Sequence, residues 1–200
     1  MIRYQGRQYR LAGQLQQIPT WEEMWENVQD DKDLEEEALL IADGNDDPDV
    51  LESAALEVES EYRDIYDNTI AQMQAHDGAD IFRAVVLPKT IDPTTLDNLG
   101  TYWADNEMAA HAHWGGEYEK YWKGRGEGHE VVYRARCDAA DINLYSSIAA
   151  RMVFTGAEED EVNIFHDSRI FVYDATLPDG SVLPINDWRN TGSFDEGKPR

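Results

Sequence analysis

Between Trp21 and Asp67 the chain carries 19 Asp and Glu against two cations, Lys32 and Arg63, a net charge of -17. A stretch this acidic folds only if its apolar residues gather on one side, and they do. Trp21, Met24, Trp25 and Val28 recur at i, i+3, i+4 and i+7, the period of one helix face. Thr20 stands as N-cap before them, and Glu23 three residues on completes a capping box. Leu34, Ala38 and Ile41 resume a similar spacing after the acidic run Asp30 to Asp33, and Gly44 to Pro48 breaks it. A second helix is expected from Asp49 as N-cap to Ala75, with Leu51, Ala55, Val58, Tyr62, Ile65, Thr69 and Met73 as its stripe. The expectation is an acidic helical hairpin whose stripes need a surface to pack on.

The 200-residue chain carries -24 overall, so everything outside 21–67 holds only -7. Salt adaptation spreads acid over a whole surface, and this distribution argues against it; the low lysine count, five against twelve Arg, is the one feature in its favour. The sign of the charge excludes non-specific binding to nucleic acid or anionic lipid, which basic residues drive. A single cysteine, Cys137, excludes an intrachain disulfide framework and a thiolate-rich zinc site. No apolar run reaches the roughly 20 residues that a membrane span needs. The opening Met1 to Arg7 lacks the apolar core of a signal peptide, so the expected location is the cytoplasm.

Beyond Ala79 the pattern changes to strands. Residues 2–11 form an expected short basic hairpin turning at Gly6, and Ile81 to Leu87 reads as a strand ended by Pro88. Asp92 to Leu99 reads as one or two helical turns, and a helix over 105–112 is expected with Asp105 as its cap. A glycine-rich loop over 115–128 and a strand over 130–137 follow, then strands at 161–165, 169–174 and 181–185, the last after the turn Leu177-Pro178-Asp179-Gly180. The expected class is therefore α+β, divided into an N-terminal hairpin with acidic helices (1–78), a strand-rich domain (79–190) and a polar tail (191–200).

Several local patterns fail as sites. Asp43-Gly44-Asn45-Asp46-Asp47-Pro48 alternates oxygen donors like a calcium loop, but its sixth position is Pro48 instead of Gly and its twelfth is Ala54 instead of Glu. His111 and His113 lie two apart on a helix and point to different sides, so they do not share a metal. The glycines of 115–128 lack the strand–turn–helix frame of a phosphate loop, and no serine sits in a nucleophile elbow.

The strongest constellation lies in the second half. Arg83 is a lone cation in an apolar strand, Gly100-Thr101-Tyr102-Trp103-Ala104-Asp105 follows, and Glu159-Asp160-Glu161-Val162 enters a later strand after Arg134 and Arg136. A strand arginine can hold a diphosphate by bidentate hydrogen bonds, and a nearby carboxylate can stabilise a sugar cation. This succession resembles the Arg–Ser–Glu class of mono-ADP-ribosyltransferases over roughly residues 79–175. The resemblance implies a split-sheet fold with NAD, the co-substrate, between two small sheets, and transfer of ADP-ribose to a protein acceptor. It further implies that Arg83 binds the NAD phosphates, that Glu161 is the catalytic glutamate, that Glu159 orients the acceptor, and that Tyr102 and Trp103 line the nicotinamide pocket. The family's Ser-x-Ser/Thr segment falls at Thr101 to Ala104, where only Thr101 supplies a hydroxyl of that kind and Tyr102 replaces the serine. The short Arg- and aromatic-rich opening adds the expectation of a viral or mobile-element effector.

A different class of function is equally compatible with the charge. Carboxylates spaced along helices can imitate nucleic-acid phosphates, so the alternative is a non-enzymatic protein whose 21–67 helices engage a basic partner.

Overall fold

The computed structural model describes residues 2–4, 7–9, 18–112, 127–153, 161–166 and 168–192. Two short strands, β1 (Ile2–Tyr4) and β2 (Arg7–Tyr9), pair antiparallel as the expected hairpin. The helices α1 (Trp21–Asp31), α2 (Leu34–Ile41) and α3 (Pro48–Ala75) follow. Then come β3 (Ala79–Pro88), β4 (Tyr102–Ala104), α4 (Glu107–Ala112), β5 (Gly128–Cys137), α5 (Leu144–Val153), β6 (Glu161–Asn163), β7 (Arg169–Thr176) and β8 (Val182–Asn190). The α+β class holds.

The capping box forms as read: Thr20 Oγ1 accepts from the Glu23 amide at 3.2 Å, and the Glu23 carboxylate accepts from the Thr20 amide at 2.9 Å. Helix α3 starts two residues earlier than expected, because Asp47 is its N-cap and Pro48 takes the first helical position, where a missing N–H costs nothing. At α4 the cap is Asn106, whose Oδ1 accepts from the Ala109 amide at 2.8 Å, because the Asp105 carboxylate is engaged elsewhere. The turn read over 92–99 is one short 3-10 helix, Pro93–Thr95, capped by Asp92.

The strands from β3 onward form one antiparallel sheet in the order β6-β4-β3-β5-β7-β8. This differs from the two small sheets that the family resemblance implies. Strand β3 pairs with β5 along its whole length, from Ala79↔Cys137 to Pro88↔Gly128, and with β4 on its other side through Phe82↔Ala104. One face of the sheet gathers Ile81, Val85, Leu87, Trp103, Val131, Tyr133 and Val162 with Met73, Leu99 and Ile142 in a single core. The other face carries Phe82, Ala84, Ala104 and Val132, on which Ala109 and Ala110 of α4 pack.

A second core lies among the helices. Trp21, Met24 and Val28 of α1, Ala38 of α2, and Ala54, Val58, Tyr62 and Tyr66 of α3 close around Ile148 and Met152 of α5. Trp21 stacks on Trp25 at 5.2 Å and meets Tyr66 edge-on, and the Tyr66 hydroxyl donates to the Pro19 carbonyl at 2.7 Å. The acidic helices therefore share their core with a helix from the strand-rich half, and Leu144 of α5 packs against both cores. Ile148→Ala, at a fully buried position, is expected to cost about 2–5 kcal/mol in chemical denaturation. Far-UV circular dichroism and Trp fluorescence should report one common transition in this variant, whereas two separated transitions would make the helical layer an independent unit.

Candidate functional site

Strand pairing decides which of the sequence-predicted residues can meet. Phe82 pairs with Ala104, and Ala104 pairs with Glu161, so these three side chains share one face of the sheet. Arg83, next to Phe82, points to the other face, between Ile81 and Val85 and beside its cross-strand partner Tyr133. The Arg83 and Glu161 side chains thus lie on opposite faces.

Each residue has a structural employment. The Arg83 guanidinium, 7% exposed, donates through Nη1 to the Tyr102 carbonyl. It packs against Gly100, whose φ of +75° suits glycine and where a Cβ would stand 3.2 Å from Arg83 Cζ. Trp103 is buried in the core and its indole Nε1 donates to the Gly100 carbonyl at 3.1 Å. The half-buried Thr101 gives its carbonyl to the Ile164 amide at 2.8 Å, while the Tyr102 side chain is exposed. Arg83, Thr101, Tyr102 and Trp103 therefore come together, as a brace between β3 and the turn into β4. Glu159 lies outside the described residues.

Glu161 belongs to a different group. Its buried carboxylate accepts from the Asn163 amide group, and its carbonyl accepts from Arg151 Nε at 3.0 Å. Arg151, from α5, also donates through Nη2 to Asp105 Oδ2 at 3.1 Å and through Nη1 to the Gln72 side chain. The His76 ring stands 3.9 Å from the same Asp105 oxygen. Burial by itself would raise the Asp105 pKa, but the His76 ring, the Asn106 amide and the Arg151 guanidinium together hold it below the usual carboxylate range. This group joins the end of α3, the β4–α4 turn, α5 and β6. No local motif marks Arg151 or this role of Asp105, because the two residues lie 46 positions apart and meet only through the fold.

The acidic helices present the other candidate surface. Part of their charge has a local reason: Glu22 and Glu23 in α1, Glu35 to Glu37 in α2 and Asp49 in α3 lie in first turns, where the helix dipole favours anions. The rest does not. Asp30 lies in the last turn of α1, which holds no basic residue. Glu57, Glu61 and Asp64 follow at i, i+4 and i+7 along α3, all exposed, so that like charges are neighbours on its surface. Arg63, one of the two cations of the segment, lies over the Trp21 ring at 5.0 Å. Among the described residues no ion pair involves Glu57, Glu61 or Asp64.

Comparison with protein-family models, with curated proteins and with solved structures finds no match. No group of three or more His, Cys, Asp or Glu side chains among the described residues is placed to hold a metal ion.

Because the folded Asp105 pKa is depressed, its contribution to stability is present above the unfolded carboxylate value of about 4 and is lost as pH falls through the lower folded value. Asp105→Asn is expected to cost about 2 kcal/mol at neutral pH and to flatten the acid limb of stability against pH. Urea titrations between neutral pH and about pH 3 check this; an unchanged acid limb would remove Asp105 from the junction's energetics.

Proposed function

We propose that this protein is a non-enzymatic binding module that engages a positively charged partner through the helices of residues 21–67. The supporting observation is the stripe Glu57, Glu61 and Asp64, exposed on a helix whose middle gains nothing from carrying it. Like charges at these spacings oppose the helix by about 0.2–0.5 kcal/mol per pair. A basic surface brought against them removes that repulsion and adds attraction, with long-range steering of the encounter. The partner class is a basic protein surface, including one that ordinarily receives nucleic-acid phosphates, since carboxylates on a rigid helix can stand in for them. Fluorescence anisotropy with a labelled oligolysine tests this. Affinity should fall about tenfold or more between low and physiological salt, and Glu57→Gln/Glu61→Gln/Asp64→Asn should weaken binding at low salt. Salt-independent binding, or none, would contradict the proposal.

NAD-dependent mono-ADP-ribosyl transfer to a protein is the competing proposal, carried by the motif resemblance alone, and the opposite facing of Arg83 and Glu161 weighs against it. Incubation with labelled NAD should give equal, background labelling by the wild type and by Glu161→Gln. Transfer by the wild type that Glu161→Gln abolishes would reverse the order of the two proposals.

A further inference from the structure

Helix α2 is apolar at four consecutive positions, Ala38 to Ile41, and at Leu34, yet Ala38 is the one it buries. Leu40 is 75% exposed, Leu39 41% and Ile41 39%, and on the neighbouring α3 Leu56 is 63% exposed. Leu40 and Ile41 border a separate recess with Glu37, Glu61 and Ile65, whereas Leu39 and Leu56 face one groove. A groove of about 690 Å³ runs between α1, α2 and α3, and its apolar lining includes Trp25, Leu34, Leu39, Leu51 and Leu56. Glu35, Glu52 and Glu59 line it as well. Along α3 the lining extends from Leu51 to Glu59, about 12 Å of helix axis at 1.5 Å per residue. Such a length seats about two turns of a second helix, with apolar anchors one turn apart.

Leu39 and Leu56 leave apolar surface open along this groove, with Glu35, Glu52 and Glu59 beside it. Acid around it selects the occupant: an apolar anchor enters most favourably when the residues beside it are cations that meet Glu35, Glu52 and Glu59. A second copy of this chain would bring its own net charge of -17 over the same segment against them, which disfavours it. We infer that the groove between α1, α2 and α3 receives a basic amphipathic helix of the partner, with leucine-like anchors on one face and Lys or Arg flanking them. This rests on the reading of the acidic layer as a surface for a basic partner, and adds that the recognised element is helical and has an apolar face.

The test compares two labelled peptides of equal length and equal positive charge: a Leu/Lys peptide patterned as an amphipathic helix, and one of the same composition with the pattern scrambled. Both are titrated against the full chain, against Leu39→Ser/Leu56→Ser, and against Glu57→Gln/Glu61→Gln/Asp64→Asn. Both leucines are substantially exposed, so the serine variant keeps its fold, which circular dichroism verifies. The patterned peptide should bind about tenfold or more tightly than the scrambled one, the worth of one or two buried apolar anchors. The serine variant should lose that difference and bind the scrambled peptide as the wild type does. Equal affinity for the two peptides, or an unchanged preference in the serine variant, would overturn the inference and leave the electrostatic proposal standing. Absence of salt-sensitive binding by either peptide would overturn both. Sedimentation of the free protein completes the test: a monomer supports the inference, and a dimer abolished by the serine substitutions would assign the groove to a second copy and overturn it.

Discussion

Helix α5 has to satisfy two partners at once, and the rest of the molecule depends on its doing so. Ile148 and Met152, on one side, complete the core of the acidic helices. The other side closes the open edge of the sheet: Ser147 Oγ accepts from the Asn163 amide at 2.9 Å, the Asn143 amide donates to the Asn163 carbonyl at 2.7 Å, and Arg151 donates to the Glu161 carbonyl. Without these bonds β6 would present unpaired backbone groups to solvent, the usual route to edge-to-edge association. Arg151 then reaches on to Asp105 and Gln72, so that one guanidinium ties sheet edge, α4 turn and α3 together. The orientation of the acidic surface relative to the sheet follows from this junction.

The same junction explains what could and could not be read from the amino-acid order. Local chemistry was legible: the Thr20–Glu23 capping box, the stripe of α1, most of the stripe of α3 (Ala54 and Tyr66 are buried there and the expected Ala55 is exposed), and the β7–β8 turn at Gly180 each depend on neighbours in sequence. Boundaries shifted where a neighbour competed, as when Pro48 drew the α3 cap back to Asp47, or when Arg151 engaged Asp105 and left Asn106 to cap α4. Helix α5 carries a quieter local signal: Leu144, Ile148 and Met152 lie four apart, and the Asn143 side chain accepts from the Ser146 amide. Its stripe has the same helical period as those of α1 and α3 but spans only the ten residues Leu144–Val153, between segments of strand texture. The facing of Arg83 and Glu161 was beyond any local rule, because it depends on the register of β3 on β4 and of β4 on β6.

Charge and apolar surface in the helical layer carry one explanation. Acid at the helix starts assists folding, but the Glu57–Glu61–Asp64 stripe and the exposed Leu39, Leu40 and Leu56 do not. Residues kept against the interest of the fold point to a use outside it, and here both kinds occur on the same acidic helices, Glu61 beside Leu40 and the groove of Leu39 and Leu56 on the other side of α3. The sheet, by contrast, spends its buried cation Arg83 on its own turn. The division of labour is a sheet that fixes position and a helical layer that meets a partner.

The claim that the acidic stripe does not serve the fold is open to one direct measurement: thermal unfolding of the wild type and of Glu57→Gln/Glu61→Gln/Asp64→Asn at low ionic strength. Relief of two like-charge neighbours should raise the stability of the variant by about 0.5–1 kcal/mol, a shift of a few degrees that disappears in high salt. A variant less stable than the wild type would mean that these carboxylates hold the fold together, and would contradict their assignment to a partner.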